Sequence, residues 1–245
     1  MHCPVIETES FRLLGTPRFG GILVLADHAS NRVPQDISLG IAPERMDEHI
    51  AIDIGVAGIA ERMAQHTGTA AYLGNVSRLV CDTNRRADDP AAIPETSDGH
   101  PIPGNIGIDR AARLARFHAP YHARLAALMD EAPPQLVFVL HSFTPQMATR
   151  PDELRPWHCG VLYDEDDRGA RIGARLLAAE GFVVGDQEPY SGKIYKATIE
   201  RYLENDARPY FYLEVRQDLI ADEAGQAEWA ERLIRVCNQV ALEIE

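Results

Sequence analysis

The chain has 245 residues, with 24 Lys+Arg against 37 Asp+Glu and a formal net charge of −13. So acidic a chain offers no broad electrostatic footprint for nucleic acid or anionic lipid, and both make poor main partners. Hydrophobic residues are 45% and charged residues 25%, a balance that excludes a disordered chain. The longest apolar runs, 21–26 and 136–140, fall far short of the ~20 residues a membrane helix needs.

In chain order, Met1–Leu14 holds Glu7 and Glu9 and no apolar signal-peptide core, which points to a cytoplasmic protein. Cys3, Cys81, Cys159 and Cys237 are scattered, with no Cys-x-x-Cys pair. They fit reduced thiols better than a disulfide framework or a structural zinc site, and Cys81 reads as a small buried hydrophobe. Residues 21–26 (GILVLA) read as a buried strand. Residues 46–66 carry Ile50, Ile54, Ala57 and Met63 at helical spacing, with Gly68 as a stop. Strands are expected at 70–73 and 78–81, then a loop rich in Pro and Gly over 88–105. The Ala/Leu/Arg-rich segment 109–131 is helical, and 136–140 (LVFVL) is a second strongly buried strand. Strands at 161–163 and 182–184 flank a helix at 168–180. A strand at 210–215 and a helix at 222–245 close the chain. Buried strands alternating with amphipathic helices predict an α/β layer fold with a mostly parallel sheet, in one domain spanning 1–245.

Ligands of such sheets sit beyond the carboxyl ends of the strands, so the residues standing there are the candidates. Asp27, His28 and Asn31 follow the first buried strand, and His141 and Ser142 follow LVFVL. Asp82, Asn84, Arg85 and Arg86 follow 78–81, while Glu214 and Arg216 end the last strand. Two histidines with one carboxylate make the usual catalytic zinc set, with one position left for water. The third ligand is Asp53 or Asn31; a dication prefers the anionic Asp53, although an acidic residue in a first helical turn also serves the macrodipole. His49, four residues before Asp53, could share a helix face with it as a supporting partner. Glu214 interrupts an apolar, aromatic strand. It is either an ion-pair partner, of Arg216 for instance, or a general base whose pKa burial has raised. Arg85 with Asn84 could clamp a substrate carboxylate, since a guanidinium offers two parallel hydrogen bonds. Arg78 could polarise the scissile carbonyl, and Ser142 and Arg216 are further candidate substrate contacts.

Other chemistries find no support. There is no Gly-x-Gly-x-x-Gly and no Gly-x-x-x-x-Gly-Lys, and Ser142 lies in no Gly-x-Ser-x-Gly elbow. His118 and His122 stand four apart without the Glu of His-Glu-x-x-His, and Pro120 between them suggests a cap or a kink.

The segments DHASNRVP (27–34), HIAIDIG (49–55), SRLVCDTNR (77–85), PIPGN (101–105), HSFTP (141–145), RPWHCGVLY (155–163) and LEVRQDLIADEAGQ (213–226) together resemble the N-formylglutamate amidohydrolase family. That family is in turn similar to zinc carboxypeptidases. The resemblance implies a phosphorylase/hydrolase-like α/β sandwich and a single zinc ion. It implies metal-binding roles for His28 and His141, a catalytic Glu214, and a substrate carboxylate held by Asn84 and Arg85. The chain departs from the pattern twice. Asn31 stands where carboxypeptidases carry their Glu ligand, which leaves Asp53 as the choice. Tyr202-Leu203 stands where the family usually has His-Gly, about twelve residues before the glutamate. The expected activity is zinc-dependent hydrolysis of a small N-acyl amino acid, N-formyl-L-glutamate first. A carboxypeptidase-like enzyme, another deacylase or a non-catalytic binder of a small acidic ligand are the alternatives.

Overall fold

Residues with β-branched and aromatic side chains build the centre of the computed structural model, which describes residues 3–194, 198, 200–204 and 207–244. Its elements are β1 (Val5–Glu7), β2 (Phe11–Leu14), β3 (Ile22–Ala26), α1 (Val56–Met63), β4 (Thr69–Gly74), β5 (Thr96–Ser97), β6 (His100–Pro101), α2 (Arg110–Glu131), β7 (Leu136–Phe143), β8 (Cys159–Leu162), α3 (Arg168–Ala179), β9 (Val184–Asp186), β10 (Tyr210–Arg216) and α4 (Glu223–Glu243). Eight of the described strands form one sheet in the order β1-β2-β4-β3-β7-β10-β8-β9. The central four, β4, β3, β7 and β10, run parallel, while β2 and β8 pair antiparallel on either side. β5 and β6 form a separate hairpin.

Period-two alternation sorts the sheet's side chains into two cores. Val24, Phe138, Leu140, Phe211 and Leu213 pack with α1, α3 and α4. Leu23, Leu25, Val137, Val139, Tyr210 and Tyr212 pack with Tyr121, Leu125, Leu128 and Met129 of α2. The result is a three-layer α/β sandwich, as expected. Continuing the alternation places His141 after Val137 and Val139, and Glu214 after Tyr210 and Tyr212, on the α2 side. In the parallel register His141 lies directly opposite Glu214.

Several local expectations are corrected. The helix expected at 46–66 is only α1; Pro43–Asp47 is a short 3-10 turn, and 48–55 is irregular. The Asp53 N–H donates to the His28 carbonyl at 3.0 Å, which pulls this stretch away from a helix and onto the end of β3. Gly55 then turns the chain into α1 at φ +83°, and a Cβ there would lie 2.1 Å from the Ile220 carbonyl oxygen. Residues 78–81 are no strand. The N–H groups of Val80 and Cys81 both donate to the Ser77 carbonyl, forming a turn. Leu79, Val80 and Cys81 are buried there against Leu39, Ile50, Ile102 and Phe117, so a short apolar run meets its burial without a ladder. β7 runs three residues beyond the expected Leu140, so His141 and Ser142 lie inside the strand. The strand expected at 182–184 runs over Val184–Asp186 instead. α2 continues through Pro120, held from its start by the Asp109 side chain, which accepts from the Ala112 N–H. All four cysteines are free thiols. No helix among the described residues is long and apolar enough to cross a membrane.

Candidate active site

Three segments meet at the carboxyl ends of β3 and β7. His28 stands in the turn after β3, His141 comes from β7, and Asp53 is delivered by its backbone bond to His28. Each residue is at most 4% exposed. Asp53 Oδ2 lies 2.7 Å from His141 Nδ1 and 3.4 Å from His28 Nδ1, and the three ligand-type atoms fall within 4.8 Å of one another. The far nitrogen of each ring faces another carboxylate: His28 Nε2 is 2.8 Å from Asp82 Oδ1, and His141 Nε2 is 3.5 Å from Asp27 Oδ2. A ring that gives its Nε2 proton to such a carboxylate turns an Nδ1 lone pair toward the space beside Asp53.

Arg78 donates to Asp53 Oδ1 at 3.3 Å and to Asp82 Oδ2 at 3.0 Å, fixing both carboxylates. Asp27 is held in turn by Tyr121 Oη at 2.5 Å and Thr198 Oγ1 at 3.3 Å. His28 Nδ1 and His141 Nε2 are buried and make no hydrogen bond with a described residue. Two imidazoles, one carboxylate and an unpartnered nitrogen on each ring fit a single divalent ion, and the carboxylates behind the rings fit the way ligand histidines are oriented. Asp82→Asn keeps the shape but weakens the hold on His28. It should cost roughly 10–100-fold in metal affinity without unfolding, measured by chelator competition.

The electrostatics follow from burial and charge. Burial raises the Asp53 carboxyl, yet the two imidazoles outweigh it and hold the group well below the usual carboxylate range. Burial likewise opposes charge on His141, but the carboxylates of Asp27 and Asp53 and the nearby Glu214 push it up to about 10. Glu214 is 6% exposed and makes no hydrogen bond or ion pair with a described residue. Burial raises it to about 7, with Asp53 adding repulsion and His141 opposing. The ion pair considered for it does not form: Arg216 binds Asp218 at 2.7 Å and donates to the Trp157 carbonyl.

A cleft of about 210 Å³ opens over this centre. His28, Asp53, His141 and Glu214 line it with Arg78, Asn84, Arg85 and Ser142, so most of the candidates read from the chain come together. Asn84 is fixed by Thr198 Oγ1, which donates to its Oδ1 at 2.7 Å, and by Tyr212 Oη at 3.3 Å. Arg85 Nε lies 3.9 Å from Asp82, and its carbonyl faces His118 Nε2 at 2.9 Å. Ser142 Oγ donates to the Ile54 carbonyl. Arg216 does not line the cleft. Asn31 binds Asp47 at 2.9 Å and stands outside the His–Asp–His group.

His49 shares no helix with Asp53 and pairs instead with Asp98 at 3.0 Å, because the segment carrying both is irregular. His118 and His122 are buried in α2 beneath the Asn84-Arg85 turn, outside the His–Asp–His group. Burial first, then His118 and Arg201, bring His122 down to about 3. Tyr202 Oη sits 2.7 Å from His122 Nδ1, under the site and away from the cleft lining. Asp27 and Asp82 had no role from sequence reasoning. Their only signal was position, an acidic residue at each turn that bounds the site. Tyr121 and Thr198 gave none.

Sheet, cleft and His–Asp–His group define a three-layer α/β protein with two histidines and an aspartate that could hold one divalent ion beside a buried carboxylate. The N-formylglutamate amidohydrolase family model matches residues 20–221, and the chain belongs to that family of amide hydrolases. A gene product of Agrobacterium tumefaciens has 27% identity and TM-score 0.88, covering 97% of this chain and 96% of its own. An N-formylglutamate amidohydrolase from Ralstonia eutropha shares the fold at 20% identity and TM-score 0.75, covering 97% and 98%. No curated protein matches the chain.

Proposed function

We propose that this protein is a zinc-dependent hydrolase of small N-acyl amino acids, with N-formyl-L-glutamate as first substrate. The observation that carries this is the convergence of His28, Asp53 and His141 with Glu214 and the Asn84-Arg85 turn in one cleft. His28, Asp53 and His141 would hold the zinc, which when bound would supply Lewis acidity to polarise the amide carbonyl and acidify a water molecule.

Glu214 takes the proton of the attacking water. A C–O bond forms at the acyl carbon, the C–N bond breaks, and the proton passes to the departing amine nitrogen. Formate and glutamate leave. A carboxyl near 7 exchanges a proton in both directions at neutral pH, which this double role requires. Arg78, already aligned by Asp53 and Asp82, adds positive charge beside the carbonyl oxygen. Arg85 and Asn84 bind the α-carboxylate and so set the amide beside Glu214.

Formate release from N-formyl-L-glutamate by protein carrying about one zinc per chain tests the whole reading, and its absence with every N-formyl amino acid overturns it. Arg85→Lys tests the clamp, because lysine keeps the charge and loses the planar fork. It should lower kcat/KM roughly 10–150-fold, as befits a charged hydrogen bond of ~1.5–3 kcal/mol. A substrate with its α-carboxylate replaced by an amide should be poor and nearly insensitive to the change. Equal losses on both substrates would mean that Arg85 supports the loop and not the carboxylate.

A further inference from the structure

We propose that Arg150 is the residue that reads the side-chain carboxylate of the substrate; the inference rests on the amide-hydrolase reading above. Three guanidinium groups line the cleft, those of Arg78, Arg85 and Arg150. Arg78 has both terminal nitrogens on Asp53 and Asp82. Arg85 stands beside Asn84 on one wall. Arg150 enters from the loop between β7 and β8, together with Met147.

That loop is fastened. Asp98, in the left-handed region at φ +41° and followed by Gly99 at φ +80°, forms the tip of the β5–β6 hairpin, where an Asp-Gly pair suits a tight turn. Its side chain is 3% exposed. It accepts from the N–H of Ala148 at 2.8 Å, and from Thr149 N–H at 3.0 Å and Oγ1 at 2.5 Å. His49, another residue of the cleft wall, lies 3.0 Å from the same carboxylate. Asp98 therefore anchors the two residues before Arg150 to the hairpin and to the cleft wall. Burial raises its carboxyl, but these hydrogen bonds prevail and hold it at about 2, so the clasp is anionic at neutral pH.

The Arg150 guanidinium itself is loosely engaged. It pairs with Glu153 at 2.7 Å, the two side chains being 53% and 37% exposed, and its Nη2 donates to Met147 Sδ at 3.1 Å, a weak acceptor. Such a surface pair contributes little to stability, so exchanging Glu153 for a substrate carboxylate in the cleft costs little. Met147 offers an apolar contact for the methylenes between the two carboxylates. A fixed backbone with an exchangeable cation at its tip is the arrangement a second anion-binding point needs.

The test compares N-formyl-L-glutamate with N-formyl-L-glutamine on the natural enzyme and on Arg150→Gln. The variant should lower kcat/KM for the glutamate substrate about 10–100-fold, mainly through KM, and for the glutamine substrate less than about 3-fold. A second arm needs no turnover. The natural protein should bind glutarate at least about tenfold more tightly than butyrate by calorimetry, and Arg150→Gln should abolish the difference. Equal losses on both substrates, no loss on the glutamate substrate, or equal binding of glutarate and butyrate overturn the role of Arg150. Preference for glutarate without any formate release upholds Arg150 and sinks the hydrolase reading. Formate release without that preference does the reverse.

Discussion

Glu214→Gln should retain its metal and its substrate affinity and lose about 10²–10⁴-fold in kcat, the range that a general base contributes. Glutamine keeps the size and an acceptor oxygen, but it cannot take a proton. The change breaks no hydrogen bond or ion pair of Glu214 with a described residue. Removing the negative charge opposite His141 gives up an attraction to that imidazole and relieves a repulsion from Asp53, two effects of opposite sign. Steady-state kinetics with metal content measured on the same sample check this. A kcat within about threefold of the natural enzyme, against an expected loss of 10² or more, would reduce Glu214 to a buried strand residue.

His28→Ala and His141→Ala should each lose stoichiometric metal. The loss should exceed the roughly 10–100-fold expected when only an orienting carboxylate such as Asp82 is changed. Each variant leaves Asp53 with a single imidazole, which is too few donors for a tightly held catalytic ion. The fold should survive, since Arg78 continues to hold Asp53 and Asp82, and the Ser142 and Asn84 N–H groups still donate to them. Elemental analysis beside far-ultraviolet circular dichroism is the measurement. Full zinc occupancy in both variants with native spectra would remove the metal centre from the mechanism and leave the cluster as a buried charge network.

The sequence by itself determined the layers and three of the residues that line the cleft. GILVLA and LVFVL are short, wholly apolar runs of the kind that suits central strands, and a polar residue ending such a strand stands at the carboxyl edge of the sheet, where ligands bind. That is why His28, His141 and Glu214 were legible. His141 and Glu214 are placed by strand alternation and His28 by the end of β3, local properties that survive folding.

What only the tertiary structure decided was how the connecting segments meet. The apolar spacing of 46–66 suits a helix. Yet the bond from Asp53 to the His28 carbonyl and the tight passage at Gly55 bend this stretch onto β3, and that bend delivers the Asp53 carboxylate to the two histidines. Cys81 and its apolar neighbours form a turn in a side cluster, so Asp82 swings under His28 without any strand to aim it. Asp98 is 52 residues from Arg150 along the chain and is an ordinary loop aspartate until the hairpin brings it against Ala148 and Thr149. Orienting carboxylates and loop clasps are contacts between distant segments, and they gain no periodicity or spacing by which one segment could announce the other.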